Sequence, residues 1–133
     1  MTRNLTEDEW MEEFETGALP NGAFHHADHV RMAFLYVRKY PPLEALGRFS
    51  SGLLRLAAAH GRPDLYHETI TWAFVLLIRE RMARANRPLT WPEFSEANPD
   101  LLRWNDHILK RYYRPETLAS GLAKKVFLLP DNL

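Results

Sequence analysis

Ile70-Thr71-Trp72-Ala73-Phe74-Val75-Leu76-Leu77-Ile78 is apolar on every side except at Thr71. It lies inside a longer stretch, Leu65 to about Ala85, that Asp64 can cap at its start and Asn86-Arg87-Pro88 ends. A helix that is apolar all round packs on several sides at once, so this stretch is read as the central element of a bundle.

The segments on either side carry helix signals of their own. Upstream, Leu43, Leu46, Phe49, Leu53, Leu54 and Ala57 give a helical stripe that opens at Pro42 and closes at Gly61. Before it, a helix from near His25 to Tyr40 stops at Pro41-Pro42, because proline disfavours helical geometry in the residue preceding it. The chain begins with a further helix. Thr6 and Glu9 have capping-box spacing, Leu5 and Trp10 have the spacing of a hydrophobic staple, and Gly17 marks the end. Downstream, Thr90-Trp91-Pro92-Glu93 starts a short helix. Asn98-Pro99 is read as the start of a fifth long helix, with Leu101, Leu102, Trp104, Ile108, Leu109 and Tyr112 turned inward. Pro115 opens a short last helical piece, and Val126 to Pro130 forms an extended tail across the body. No segment alternates with period two between turns. The expected fold is all-α, a single-domain helical bundle over residues 1–133, with an acidic helix at 1–17 packed on a body formed by 24–133.

Composition narrows the function classes. A chain of 133 residues buries about two-thirds of its unfolded surface and needs no disulfide or metal to fold. It has no cysteine, which removes thiolate metal sites and cysteine nucleophiles and fits a reducing cytoplasm. The formal net charge is zero, which disfavours nucleic acid as a partner. Residues 1–16 are nonetheless acidic by five, so the remainder is basic by five, as expected of an acidic helix lying on a mildly basic body. There is no apolar run of signal-peptide type. The longest apolar stretch, Trp72 to Ile78, is far short of the ~20 residues that span a bilayer. A soluble cytoplasmic protein is expected.

Chemistry concentrates in the histidines. Three lie in Phe24-His25-His26-Ala27-Asp28-His29, and another in Tyr66-His67-Glu68-Thr69. At ~100° per residue, Val30, Ala33, Val37 and Tyr40 share one helical stripe, with His26 at its centre and His29 at its edge. His67 shares a stripe with Thr71, Phe74 and Ile78. Short connections make consecutive helices antiparallel, so the helices carrying His26 and His67 begin at the same end of the bundle, where the helix carrying His60 finishes. His26, His29, His60, His67 and Glu68 are therefore expected to converge.

Imidazoles beside a carboxylate suit metal ligation and proton transfer. The leading expectation is a divalent ion (zinc, iron, nickel or manganese) on His26, His29 and His67, with Glu68 as fourth ligand or general base and a small molecule as substrate. Glu68 and His67 are the candidate catalytic pair. Against a metal stand two converging helix starts, whose positive dipole ends favour an anion; Glu68, or else Asp28, would have to offset them. The alternatives are a metal-free binder or acid–base enzyme for a small anionic ligand, with Arg31 assisting, and a structural protein with an internal histidine network. His60 is read as a helix-terminal structural residue, His25 as exposed and His107 as a surface residue.

The segments Phe24-His25-His26-Ala27-Asp28-His29-Val30 through Tyr36, then Tyr66-His67-Glu68-Thr69-Ile70-Thr71, then Arg111-Tyr112-Tyr113 with the following Pro-Glu-x-Leu, resemble a family of small bacterial proteins of unknown function. The resemblance covers most of the chain from Phe24 onward. It implies that these segments belong together and attaches no reaction to them.

Overall fold

The computed structural model describes residues 4–132; residues 1–3 of the acidic segment, and Leu133, lie outside the described residues. Those described form seven α-helices and no strand. The helices are α1 (Glu7–Thr16), α2 (His26–Lys39), α3 (Pro42–Ala59), α4 (Glu68–Arg84), α5 (Trp91–Ala97), α6 (Pro115–Leu118) and α7 (Gly121–Lys125). None is long and apolar enough to cross a membrane.

Local hydrogen bonding explains most boundaries. The Thr6 hydroxyl accepts from the Glu9 N–H at 3.1 Å while the Glu9 carboxylate accepts from the Thr6 N–H at 2.9 Å, which satisfies two orphan donors of α1. Gly17 ends that helix at φ 79°, a left-handed conformation that a side chain disfavours. Thr90 and Glu93 repeat the box on α5.

α4 packs on α2 and α3, and α7 lies against its first half. Thr69, Thr71, Ala73, Phe74, Val75 and Ile78 are buried, so the apolar middle of α4 serves several partners. α1 lies mainly on α3. Its acidic edge meets the basic end of α2 through Arg38–Glu7 at 2.6 Å and Lys39–Asp8 at 3.2 Å, and meets α3 through Arg48–Glu15 at 3.1 Å. Such exposed pairs contribute little each, and the apolar face seats the helix. On α3 the inward stripe is Ala45, Phe49, Gly52 and Leu56, whereas Leu43 is 85% exposed. Gly52 turns the helix this way, because its bare backbone receives the Phe14 ring of α1.

Three expectations are corrected. The fifth long helix is absent. Two 3-10 turns, Pro99–Leu102 and Ile108–Arg111, stand in its place, with Asp106 between them at φ 53°. The Leu101 carbonyl accepts from His26 instead of a helical N–H. Arg81 of α4 holds Asp100 with two bonds, at 2.8 and 3.1 Å, and Asn98 with a third at 2.8 Å. Trp104 is consequently 51% exposed rather than turned inward. The start of α4 also differs. Pro63–Leu65 is a separate 3-10 turn, and the capping residue is His67, not Asp64. The last helical piece is two short helices, α6 and α7.

The tail, free of secondary structure from Phe127, is tied down by buried Thr69. Its hydroxyl lies 2.7 Å from the Ala123 carbonyl and 2.8 Å from that of Val126, and accepts from the Leu128 N–H at 3.1 Å. Phe127 stacks on Trp72 with ring centroids 5.4 Å apart. Thr69→Val keeps the shape and strands these groups, and should lower unfolding free energy by about 1–3 kcal/mol. An unchanged urea midpoint would show that Thr69 does not hold the tail.

Candidate functional site

A cavity of about 710 Å³ opens where α2 and α4 begin and α3 ends. Of the five side chains expected to converge, His26, His29, His60 and His67 line it and Glu68 does not. Most of the remaining wall is apolar, including Phe24, Phe49, Leu53, Ile70 and Phe74, and the half-exposed Trp104 belongs to the lining as well.

The four histidines differ in what their nitrogens do. A carbonyl oxygen only accepts, so a ring nitrogen facing one must carry the proton. His26 Nε2 donates to the Leu101 carbonyl at 3.0 Å, and the ring packs on Phe74 and Trp104 at 5.0 and 5.1 Å. His60, the C-cap of α3, donates from Nε2 to the Leu19 carbonyl at 2.7 Å and ties down the α1–α2 connection. His67 donates from Nε2 to the Leu118 carbonyl at 2.8 Å while Nδ1 accepts from the Ile70 N–H at 3.1 Å. Both nitrogens of His67 are thus committed, in the neutral tautomer, to capping α4 and holding α6.

His29 is different. It makes no hydrogen bond with any described residue, and its half-buried ring packs on Phe24 at 4.4 Å and borders the cavity. Burial, with the neighbouring His26 and His25 adding to it, lowers its pKa from the ordinary 6.5 to about 4. Burial also lowers that of His26, partly offset by the Leu101 carbonyl.

Glu68, expected as ligand or base, does not line the cavity; its carboxylate accepts a short bond from the Tyr66 hydroxyl. Tyr66 does line it, and burial first, then Glu68, pushes its pKa upward, so it stays a phenol. Asp28 is turned back onto its own helix start, accepting from the His25 N–H at 2.9 Å. Arg31 stacks on Trp10 at 5.2 Å and borders a separate cleft of about 300 Å³. Among the described residues no three His, Asp or Glu side chains are grouped so as to hold a metal ion. Of the four expected donors, His67 and Glu68 are engaged elsewhere, so the set does not fit a ready-made centre.

His107 corrects the surface reading. Its ring stacks on Trp104 at 4.9 Å, its Nδ1 is buried without a partner among the described residues, and burial lowers its pKa. Tyr66 and Trp104 were visible as residues, but their place in a cavity wall depends on the broken fifth helix and the displaced start of α4.

Comparison of the chain with known protein families, with curated proteins and with solved structures found no match.

Proposed function

We propose that this protein takes up a small, largely apolar molecule in the imidazole-lined cavity, with His29 as the polar group that meets it. The observation that carries this reading is His29 itself, a half-buried imidazole packed on Phe24 at the cavity wall, whose ring bonds to no described residue and is open to the cavity. A ring nitrogen left free at the wall of an apolar cavity is a polar group placed to bond whatever enters it. A volume near 710 Å³ suits a small organic molecule, and a mostly apolar wall with a few polar groups is the usual composition of such sites. A neutral imidazole is also the form that accepts a proton, so the enzymatic version of this reading is general-base chemistry by His29. The cysteine-free composition is in keeping with a cytoplasmic setting.

A metal-centred reading has one observation in its favour: His26 and His29, three residues apart on α2, border the same cavity. A zinc, iron, nickel or manganese ion there would need His67 to leave its cap and Glu68 to release Tyr66.

Naphthalene-sized solutes test the first reading. Naphthalene, 1-naphthol or 1-naphthoate should bind saturably at one site and shift the His26 and His29 ring resonances in NMR titrations. Ala57→Trp, which fills the cavity from α3, should block the shifts while the protein stays folded. If none of the three solutes binds saturably, the reading is lost. A melting temperature that falls with chelator would favour the metal instead.

A further inference from the structure

Three of the four imidazoles that line the cavity, and two of its hydroxyls, have already used their protons. Five of the donor side chains that line it donate within the chain; buried Thr71 and the exposed Asn21, Trp104 and Lys124 line it as well. His26, His60 and His67 give Nε2–H to the carbonyls of Leu101, Leu19 and Leu118. Tyr66 gives its hydroxyl proton to Glu68, and Ser120 gives its own to the Thr117 carbonyl at 2.7 Å. A neutral imidazole that donates from one nitrogen holds a lone pair on the other. His67 uses that lone pair for Ile70, whereas the Nδ1 of His26 accepts from no described residue. His29 adds a second free acceptor. Among the four imidazoles His29 alone keeps an uncommitted N–H, and the N–H groups of Asn21 and Trp104 belong to exposed residues. Lys124 is exposed at the rim.

The helix starts do not reverse this balance. The first turn of α2 already carries Asp28, bonded to the His25 N–H, and that of α4 carries Glu68 and the His67 cap. These carboxylates answer the positive dipole ends that would otherwise draw an anion.

Building on the proposal that the cavity is a ligand site, we infer that the molecule it takes is uncharged and brings its own hydrogen-bond donor. An aromatic or alicyclic alcohol, a phenol or an N–H heterocycle fits, with the hydroxyl or N–H directed to the free lone pair of His29. An anion seated against His26, His60 and His67, away from the exposed Asn21, Trp104 and Lys124, would face lone pairs and spent donors, and would lose hydration there without full replacement. This departs from the anionic ligand expected from the helix starts alone.

Three probes of one shape separate the possibilities at pH 7.5: naphthalene, 1-naphthol and 1-naphthoate. 1-Naphthol should bind about tenfold more tightly than naphthalene, the equivalent of one good neutral hydrogen bond. 1-Naphthoate should bind more weakly than 1-naphthol. In His29→Leu the advantage of naphthol over naphthalene should disappear while naphthalene still binds. In His29→Gln, which keeps an acceptor, part of the advantage should return. Tightest binding by 1-naphthoate, with the gain lost in Lys124→Ala, would overturn the inference and assign the rim lysine to a carboxylate. A naphthol preference that survives in His29→Leu would equally overturn it. Both outcomes differ from binding by none of the probes, which removes the ligand site itself.

Discussion

Phe14→Ala is expected to lower the unfolding free energy by about 3–5 kcal/mol, the range for truncating a buried aromatic ring. Phe14 is 0% exposed. Its ring lies 5.4 Å from Phe49, 5.5 Å from Phe24 and 5.8 Å from Tyr36, so it joins α1, α2, α3 and the α1–α2 connection. The seat for this ring is Gly52, where an added Cβ would stand 2.5 Å from Phe14 Cε2. Gly52→Ala should therefore cost about 1–3 kcal/mol through overpacking. In a Phe14→Ala background the collision is absent, and alanine's better helix propensity should make the same change neutral or stabilising. A double-mutant cycle by chemical denaturation reads that coupling, expected to exceed about 1 kcal/mol. Additive costs, or a Phe14→Ala penalty below about 1 kcal/mol, would mean that α1 is not seated by this contact. The consequence reaches the site, because Phe24 touches Phe14 on one side and His29 on the other.

The second large effect is on pH dependence. In the unfolded chain His29 takes a proton near 6.5, while in the native protein it takes one only near 4. At pH 7.5 the ring is neutral in both states and does not oppose folding. As pH falls below 6.5 the unfolded chain binds the proton first, so stability drops, by roughly 3 kcal/mol once pH reaches about 4. His26 and His107, also lowered by burial, act in the same direction. The depressed carboxylates act in a different window. The Arg81 bonds lower Asp100, and the Thr117 and Arg114 bonds lower Asp131. Their stabilisation is present above the ordinary carboxylate pKa and is lost only at more acid pH. Urea unfolding at pH 7.5 and pH 5.0 should thus show a marked loss in the wild type and a smaller loss in His29→Gln. An NMR titration of His29 with a midpoint near 6.5, together with equal losses in both proteins, would contradict the half-buried, neutral ring.

How far the sequence could be read depended on the range of the interactions involved. The two capping boxes, the Gly17 stop and the opening of α3 at Pro42 rest on groups within a few residues of each other, and all were legible. Antiparallel packing of short-linked helices led to the expectation that His26, His29, His60, His67 and Glu68 converge; the four histidines line one cavity and Glu68 does not. The fifth helix failed because Leu101, Leu102, Ile108 and Leu109 satisfy helical spacing equally well from two short turns. What separates those outcomes is the Leu101 carbonyl, bonded to His26, 75 positions earlier in the chain.

The same reasoning divides the site. Chain chemistry and connection lengths alone determined an all-helical body, and four of its imidazoles line one cavity. The role of each ring was decided by the tertiary structure, since the carbonyls of Leu19, Leu101 and Leu118 come from segments 41, 75 and 51 positions away. Hydrogen bonds to those oxygens select the tautomers, spend the protons and leave His29 open, and no local pattern encodes which carbonyl will be within reach.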